Sequence, residues 1–276
     1  MSFGSFCIQG GVSEKENVQG IRIVNESLKE YRASKLEQER FRDLLNLLPE
    51  SGERVLDVGT RDGFYAKALT RHFKQVVALD IVPPAFSHPH IWTINADACR
   101  LPFVDGSFDL VFCTEVLEHI PPERLNDICR ELKRVCRKFL LIGVPYRQDI
   151  RVGRCTCRSC GKISPPWGHY NRFDETCLEA MFRPCQKIRV SFVGESKDRT
   201  NGLTRFLYDC AGNPFGYYHE DVSCIHCGQP LIQAPPRNLL QRVFTRLGFL
   251  VQKVQDSLSP RSSHPEWIHI LFRASE

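Results

Sequence analysis

Between residues 55 and 144 the chain alternates between short apolar runs and stretches with apolar side chains at helical spacing. Val55–Val58, Gln75–Leu79, Ile91–Ile94, Phe108–Cys113 and Lys138–Val144 read as strands, and Tyr65–His72 and Arg124–Cys136 as helices. The strand runs are almost wholly apolar, which fits burial on both faces. Strands of this kind alternating with helices predict a parallel sheet covered on both sides. Upstream, Glu26–Leu48 is a charged segment with an apolar stripe through Leu28, Tyr31, Leu36, Phe41, Leu44, Leu45 and Leu48. It reads as a helix ended by Pro49 and Gly52. After Pro145 the periodicity stops. Residues 147–170 are polar and rich in Cys and Pro, Asp174–Phe182 returns as a helix, and Ile188–Val193 alternates like a strand. Residues 194–236 read as irregular, Asn238–Val254 as an amphipathic helix and Trp267–Phe272 as a last strand.

Bulk composition narrows this picture only a little. A chain of 276 residues can bury a full core, and a net charge of +5 neither demands nor excludes nucleic acid. No apolar run is long enough to span a bilayer, and the N-terminus lacks a secretory pattern. Thirteen cysteines without such a signal point to a reducing, cytoplasmic setting, where paired cysteines bind metal more often than they form disulfides.

The chemistry begins at Arg54–Gly63, RVLDVGTRDG. An apolar strand meets Asp57, turns at Gly59 and enters a helix at Gly63. Glycine at such a turn lets the backbone approach a ligand closely. Three further features are placed in order behind it: Asp80 ends the second strand, Asp97 follows the third, and FDLVFCTEVLEHIP covers the fourth strand and its exit.

This ordered set resembles the class I S-adenosylmethionine-dependent methyltransferases of the type 11/12 kind, particularly those like the ubiquinone- and menaquinone-pathway enzymes. The resemblance runs from about Ala33 to Val193 and takes in the last strand. It implies a Rossmann-like α/β fold: a seven-stranded, mostly parallel sheet with helices on both faces and an antiparallel last strand. It also implies a set of roles. Asp57, Gly59, Thr60 and Gly63 would form the loop beside the methionine part of S-adenosylmethionine. Asp80 would accept the ribose hydroxyls and Ile81 would pack on the adenine. Asp97 would accept the adenine amino group with Ala98 beside the ring, and Thr114 and Glu115 would line the methyl side. The sequence departs from the family at Arg61, which stands where the loop usually has its middle glycine. An NAD-type site would share the turn and the second-strand acid. Arg61, Asp97 and the EVLEH exit stand against it.

A sulfonium methyl is already activated, so catalysis is mostly placement of the acceptor, helped by a base if that acceptor is a hydroxyl. Candidate residues are His169, in PPWGHYNRF, then His119 and Glu115. His119 has the bland alternative of capping the turn before Pro121, and Glu115 that of bonding backbone. The exit CTEVLEH is not an Asn/Asp-Pro-Pro-Tyr motif, so exocyclic base-amine methylation is not expected. No carboxylate set for a catalytic divalent metal is evident.

Two near copies, Cys157-Arg158-Ser159-Cys160-Gly161 and Cys224-Ile225-His226-Cys227-Gly228, have the spacing of zinc knuckles. Their four thiolates would make a closed, structural Zn2+ site, with Cys155 as a competitor for Cys157. Separate redox dithiols are the alternative. The knuckles with Pro166, Trp167, Gly168, His169 and Phe173 also resemble a subgroup of uncharacterised methyltransferases associated with cell-surface sugar pathways, which implies a saccharide or other small-molecule acceptor.

The expected organisation is therefore an N-terminal segment, 1–30, partly disordered; a cofactor-binding core, 31–146 and 171–194; zinc-knuckle insertions, 147–170 and 195–236, forming a lid; and a terminal helix and strand, 237–276. Residues 238–254 carry Leu239, Leu240, Val243, Phe244, Leu247, Leu250, Val251 and Val254 together with Arg242, Arg246 and Lys253. They fit a helix packed on the lid or sheet, or peripheral contact with a membrane. The leading expectation is methylation of a small molecule, with a saccharide hydroxyl as acceptor. The competitors are RNA methylation, with Arg147, Arg151, Arg154, Arg158 and Lys162 gripping nucleic acid, and a zinc module that binds cofactor without turnover. The sequence leaves the oligomeric state open.

Overall fold

The computed structural model describes residues 31–258 and 263–275. The expectations for residues 1–30 therefore lie outside the described residues, as does the start of the first helix. Two units are delimited, Met1–Gln38 and Glu39–Glu276, and the second contains the sheet and everything discussed below.

Its elements follow in order. Helix α1 (Lys35–Leu47), which straddles the two units, leads to β1 (Gly52–Val58), α2 (Phe64–Leu69), β2 (Phe73–Asp80), β3 (Ile91–Asn95) and β4 (Phe108–Thr114). Then come α3 (Leu125–Val135), β5 (Cys136–Pro145) and the short pair β6 (Cys155–Thr156) and β7 (Ile163–Ser164). Helix α4 (Glu175–Met181) and β8 (Gln186–Val193) precede α5 (Gly202–Cys210), β9 (His219–Ser223), β10 (Pro230–Leu231), α6 (Leu239–Leu258) and β11 (Trp267–Arg273).

Seven strands form one sheet in the order β3-β2-β1-β4-β5-β11-β8. The first five run parallel, and β11 lies antiparallel between β5 and β8. This is the Rossmann-like, mostly parallel arrangement that the strand pattern and the resemblance call for.

Strand side chains alternate between faces, so each apolar run feeds two cores. Leu56, Val58, Val77, Leu79, Val111, Cys113, Leu140 and Ile142 pack on one face against Ile128, Leu132 and Val135 of α3. Val55, Val76, Ala78, Leu110, Phe112 and Leu141 pack on the other against Leu44 and Leu47 of α1 and Ala66 and Leu69 of α2. Every residue of β4 is buried, as a central strand covered on both sides requires.

One expectation needs correction. Residues 194–236 are not irregular throughout: α5 spans Gly202–Cys210, capped by Asn201, whose side chain accepts from Thr204 N at 2.7 Å. The hairpin β9/β10 follows it. The helix is only nine residues long, too short to carry a clear period, which is why the pattern hid it. Asp57 lies in β1, one residue before its end, within the strand expected at Val55–Val58.

Candidate active site and cysteine centre

The glycine loop sits where β1 ends. Gly59 N and Thr60 N both donate to Leu79 O, at 2.8 and 3.1 Å, and Gly63 N closes the turn on Thr60 O at 2.8 Å. Gly59 has φ 77° and Gly63 φ 73°. A Cβ at Gly59 would fall 2.3 Å from Val116 Cγ2, and one at Gly63 would fall 2.4 Å from Phe86 Cζ. Both positions thus exclude other residues by backbone conformation and by space.

Arg61 takes the left-handed conformation too, at φ 48°. The turn thus has left-handed backbone at Arg61 as well as at the two glycines. For a non-glycine residue this conformation ordinarily costs about 1 kcal/mol or more. Arg61 N donates to Asp80 Oδ2 at 2.8 Å, which helps to hold it there.

Asp80 lies at the end of β2, and its other carboxylate oxygen accepts Val82 N at 3.0 Å. Each oxygen so engaged keeps a further lone pair, enough to accept a diol. Ile81, next in sequence, is 69% exposed. An apolar side chain standing open beside a diol acceptor suits a nucleoside, with the base on Ile81 and the ribose on Asp80. Thr60 adds a buried hydroxyl with no hydrogen-bond partner in the loop itself. Asp57 is buried beneath the loop. Asp97 is half-buried, with one oxygen on Cys99 N at 2.9 Å and the other paired with Arg124 at 2.5 Å. The Arg124 bond and the Cys99 amide hold its carboxyl below the usual range. Ala98 packs at the margin of the core beside it. These features fit S-adenosylmethionine.

The exit of β4 builds the neighbouring subsite. Thr114 is buried. Glu115 has φ 56° and faces the buried Arg40 at 3.4 Å. A 3-10 turn, Leu117–His119, presents Glu118 inward and His119 outward. The PPWGHY segment is stapled onto this turn. Tyr170 N donates to Glu118 O at 2.7 Å, and the Asn171 side-chain amide donates to Leu117 O at 2.9 Å and to Ile120 O at 2.6 Å. His169 and His119 thereby meet edge-to-face, ring centroids 4.6 Å apart.

His169 is buried and His119 lies in a recess that solvent reaches. Desolvation pulls both imidazoles down, His119 to about 4 with help from the Arg61 charge, and His169 to about 3 with help from His119. Both are neutral at physiological pH. His169 Nδ1 lies 2.6 Å from Gln148 Oε1, so the proton sits on Nδ1 and Nε2 keeps a lone pair.

Glu118 is the residue that sequence reasoning missed. It is fully buried, with neither carboxylate oxygen hydrogen-bonded. Burial, reinforced by the Glu115 charge, pushes its carboxyl well above the usual range. Ligand atoms of Glu118, His119 and His169 all lie within 4.8 Å of one another. These groups come from segments fifty residues apart in sequence, so only the fold brings them together. The available signal was the i, i+3 spacing of Glu115 and Glu118 in EVLEH.

The four knuckle cysteines also converge. Cys157 Sγ–Cys227 Sγ and Cys160 Sγ–Cys224 Sγ are both 3.7 Å apart, and all four sulfurs lie within 4.8 Å. A tetrahedral site with Zn–S of about 2.3 Å has S···S edges of about 3.8 Å. The two turns are copies in structure as well as in sequence. Gly161 N donates to Cys157 O and Gly228 N to Cys224 O, both at 2.9 Å. Cys157 N donates to Lys162 O and Cys224 N to Gln229 O, again at 2.9 Å. Ser164 Oγ donates to Cys224 Sγ at 3.5 Å. Cys155 lies outside the cluster, its thiol toward Gly153 O, and burial pushes it up to about 12. His226 is exposed and reaches Ile163 O at 3.1 Å.

Residues 56–139, which cover β1 to the start of β5, match the family model of a methyltransferase domain. The ubiquinone biosynthesis O-methyltransferase of Albidiferax ferrireducens is 32% identical over 87 residues, 28% of this chain and 34% of that protein. The chain thus spans about a third of the length of that curated relative. In fold it is similar to the N-methyltransferase NodS of Bradyrhizobium japonicum: TM-score 0.50, 15% identity, with 89% of this chain and 99% of that one covered. It is also similar to the 1,6-didemethyltoxoflavin-N1-methyltransferase of Burkholderia thailandensis, solved with S-adenosylhomocysteine: TM-score 0.52, 12% identity, 98% and 94% covered.

Proposed function

We propose that the chain is a class I S-adenosylmethionine-dependent methyltransferase that transfers the methyl group to a hydroxyl of a small molecule, with a saccharide as the acceptor class; the matched methyltransferase domain model over residues 56–139 supports this. The observation that carries this reading is the neutral His119–His169 pair at the mouth of the glycine loop. S-adenosylmethionine supplies an activated methyl. Asp80, Ile81, Asp97 and Ala98 would hold its nucleoside, and Asp57, Gly59, Thr60 and Gly63 its methionine part, with Thr114 and Glu115 toward the methyl. The protein then has to orient the acceptor oxygen and receive its proton. His169 can do so at Nε2, because Gln148 fixes the tautomer. His119 abuts it as the second candidate, and Glu115 orients. Trp167, stacked on Tyr217 at 5.4 Å, adds an aromatic wall of the kind sugar rings pack against.

Cys157, Cys160, Cys224 and Cys227 are read as ligands of a structural zinc ion. Four protein donors leave no open coordination position, so the ion would hold the two insertions together as a lid and take no part in the chemistry. The competing RNA reading loses support from three of the five basic residues named for it around the first knuckle. Arg151 is paired with Asp149 at 2.7 Å, Arg154 with Asp209 at 2.8 Å, and Arg147 faces Asp174 at 3.8 Å. Cations already matched by carboxylates offer little to phosphates.

The test is incubation of the protein with methyl-labelled cofactor and a cell extract split into small-molecule, polysaccharide and RNA fractions. Label in the small-molecule or saccharide fraction, lost in His169→Ala, supports the reading. Label confined to RNA overturns it.

A further inference from the structure

Helix α6 is mounted with its apolar face outward. At about 100° per residue, Leu239, Val243, Leu247, Leu250, Val254 and Leu258 fall on one arc about 100° wide. All six are exposed, from 43% at Leu247 to 82% at Leu258. The opposite side of the helix carries Gly248, the helix's one buried residue. A Cβ there would lie 2.7 Å from the Tyr208 ring, so it is this small residue that lets α6 sit close on α5. Polar side chains fasten the same side. Thr200 Oγ1 donates to Gln252 Oε1 at 3.0 Å, and the Asn201 side-chain amide bonds Gln255 Oε1. An amphipathic helix that only completed a core would be turned the other way. Soluble monomers seldom leave so continuous an apolar face uncovered.

The charges beside that face select its occupant. Arg242, Arg246 and Lys253 are exposed on the arc immediately next to the apolar one, and the helix carries a single acid, Asp256. Phe249 and Phe215 stand open beside Arg246 around a shallow recess. An apolar stripe bordered by cations is the pattern of a helix that lies in the plane of an anionic bilayer, its leucines among the acyl chains and its cations at the phosphates. No helix among the described residues is long and apolar enough to cross a membrane, so the contact is with the surface. We infer that α6 docks this protein on an anionic lipid surface.

Flotation of the full chain with vesicles of phosphatidylcholine, with and without phosphatidylglycerol, tests this. Binding is expected only to the anionic vesicles and should fall with salt. The triple reversal Arg242→Glu, Arg246→Glu, Lys253→Glu should weaken it by about a hundredfold. Leu247→Glu with Leu250→Glu should abolish it while circular dichroism stays unchanged, because both side chains already face solvent. Equal binding to neutral vesicles would remove the charge argument. Absence of vesicle binding, with dimerisation in light scattering that the leucine variants abolish, would make the face a self-interface and overturn the inference.

Discussion

The sheet and the cysteine module are held together by different means. The sheet buries apolar side chains on both faces of five parallel strands, each strand alternating between two cores. The module formed by residues 153–164 and 212–231 has one small cluster, Cys155, Cys157, Val222, Cys224 and Leu231, with Tyr218 at its edge. Two of those five are themselves metal-type donors. A cluster of that size supplies too little hydrophobic free energy to order two long insertions, whereas a four-thiolate site can do so through a few strong bonds. The proposed acceptor site draws on both the sheet edge and an inserted segment: His119 follows β4, and His169 comes from the segment that follows β7.

The largest effect should come from breaking the module alone. Cys224→Ser is expected to lose bound zinc and to cost the module several kcal/mol, on the order of what structural zinc contributes. Limited proteolysis should then cut within residues 147–236 while the far-ultraviolet spectrum of the sheet persists. If sheet and module instead unfold together, the contrast between the two regions is false.

On the sheet side, Asp80→Ala removes the proposed nucleoside acceptor and a loop anchor at once. Affinity for S-adenosylmethionine in calorimetry should fall about 10- to 100-fold, the range of one or two charge-assisted hydrogen bonds. Zinc content should not change. An unchanged affinity would move the cofactor elsewhere.

The histidine pair predicts a pH dependence. Both folded-state values are depressed, to about 4 and about 3, below the ordinary 6.5 of the unfolded chain. The unfolded state therefore takes up protons first. The stability that the neutral pair contributes is whole above pH 6.5 and declines as pH falls from there through 4 to 3. His169→Gln with His119→Gln should flatten this dependence in denaturant titrations at successive pH values. The imidazole resonances of His119 and His169 in the native protein should titrate well below 6.5.

The smallest effect concerns Arg61. Arg61→Gly removes a left-handed non-glycine residue and should stabilise the protein by up to about 1 kcal/mol, with cofactor affinity unchanged or tighter. It also removes a positive charge that depresses His119, so the His119 value should rise. A loss of cofactor affinity would show that the Arg61 side chain has its own role at the pocket.

The sequence made the sheet legible because burial on two faces leaves runs too apolar to be anything else, as in VVAL and DLVFC. It made the glycine loop legible because Gly59 and Gly63 stand where the turn needs left-handed backbone and no side chain, although Arg61 adopts the same conformation without being glycine. It identified the four cysteines because a metal turn is local. What it left open was whatever depends on two distant segments meeting. Glu118 reads as one acid in EVLEH; only the seating of Tyr170 and Asn171 on that turn brings His169 to it. Helix α5 is short and its cap is a single asparagine, so no period announced it. The apolar stripe of α6 was plain in the sequence, but its direction was not. Periodicity fixes which residues share a face, and only tertiary packing, here Gly248 against Tyr208, decides whether that face turns inward or toward solvent.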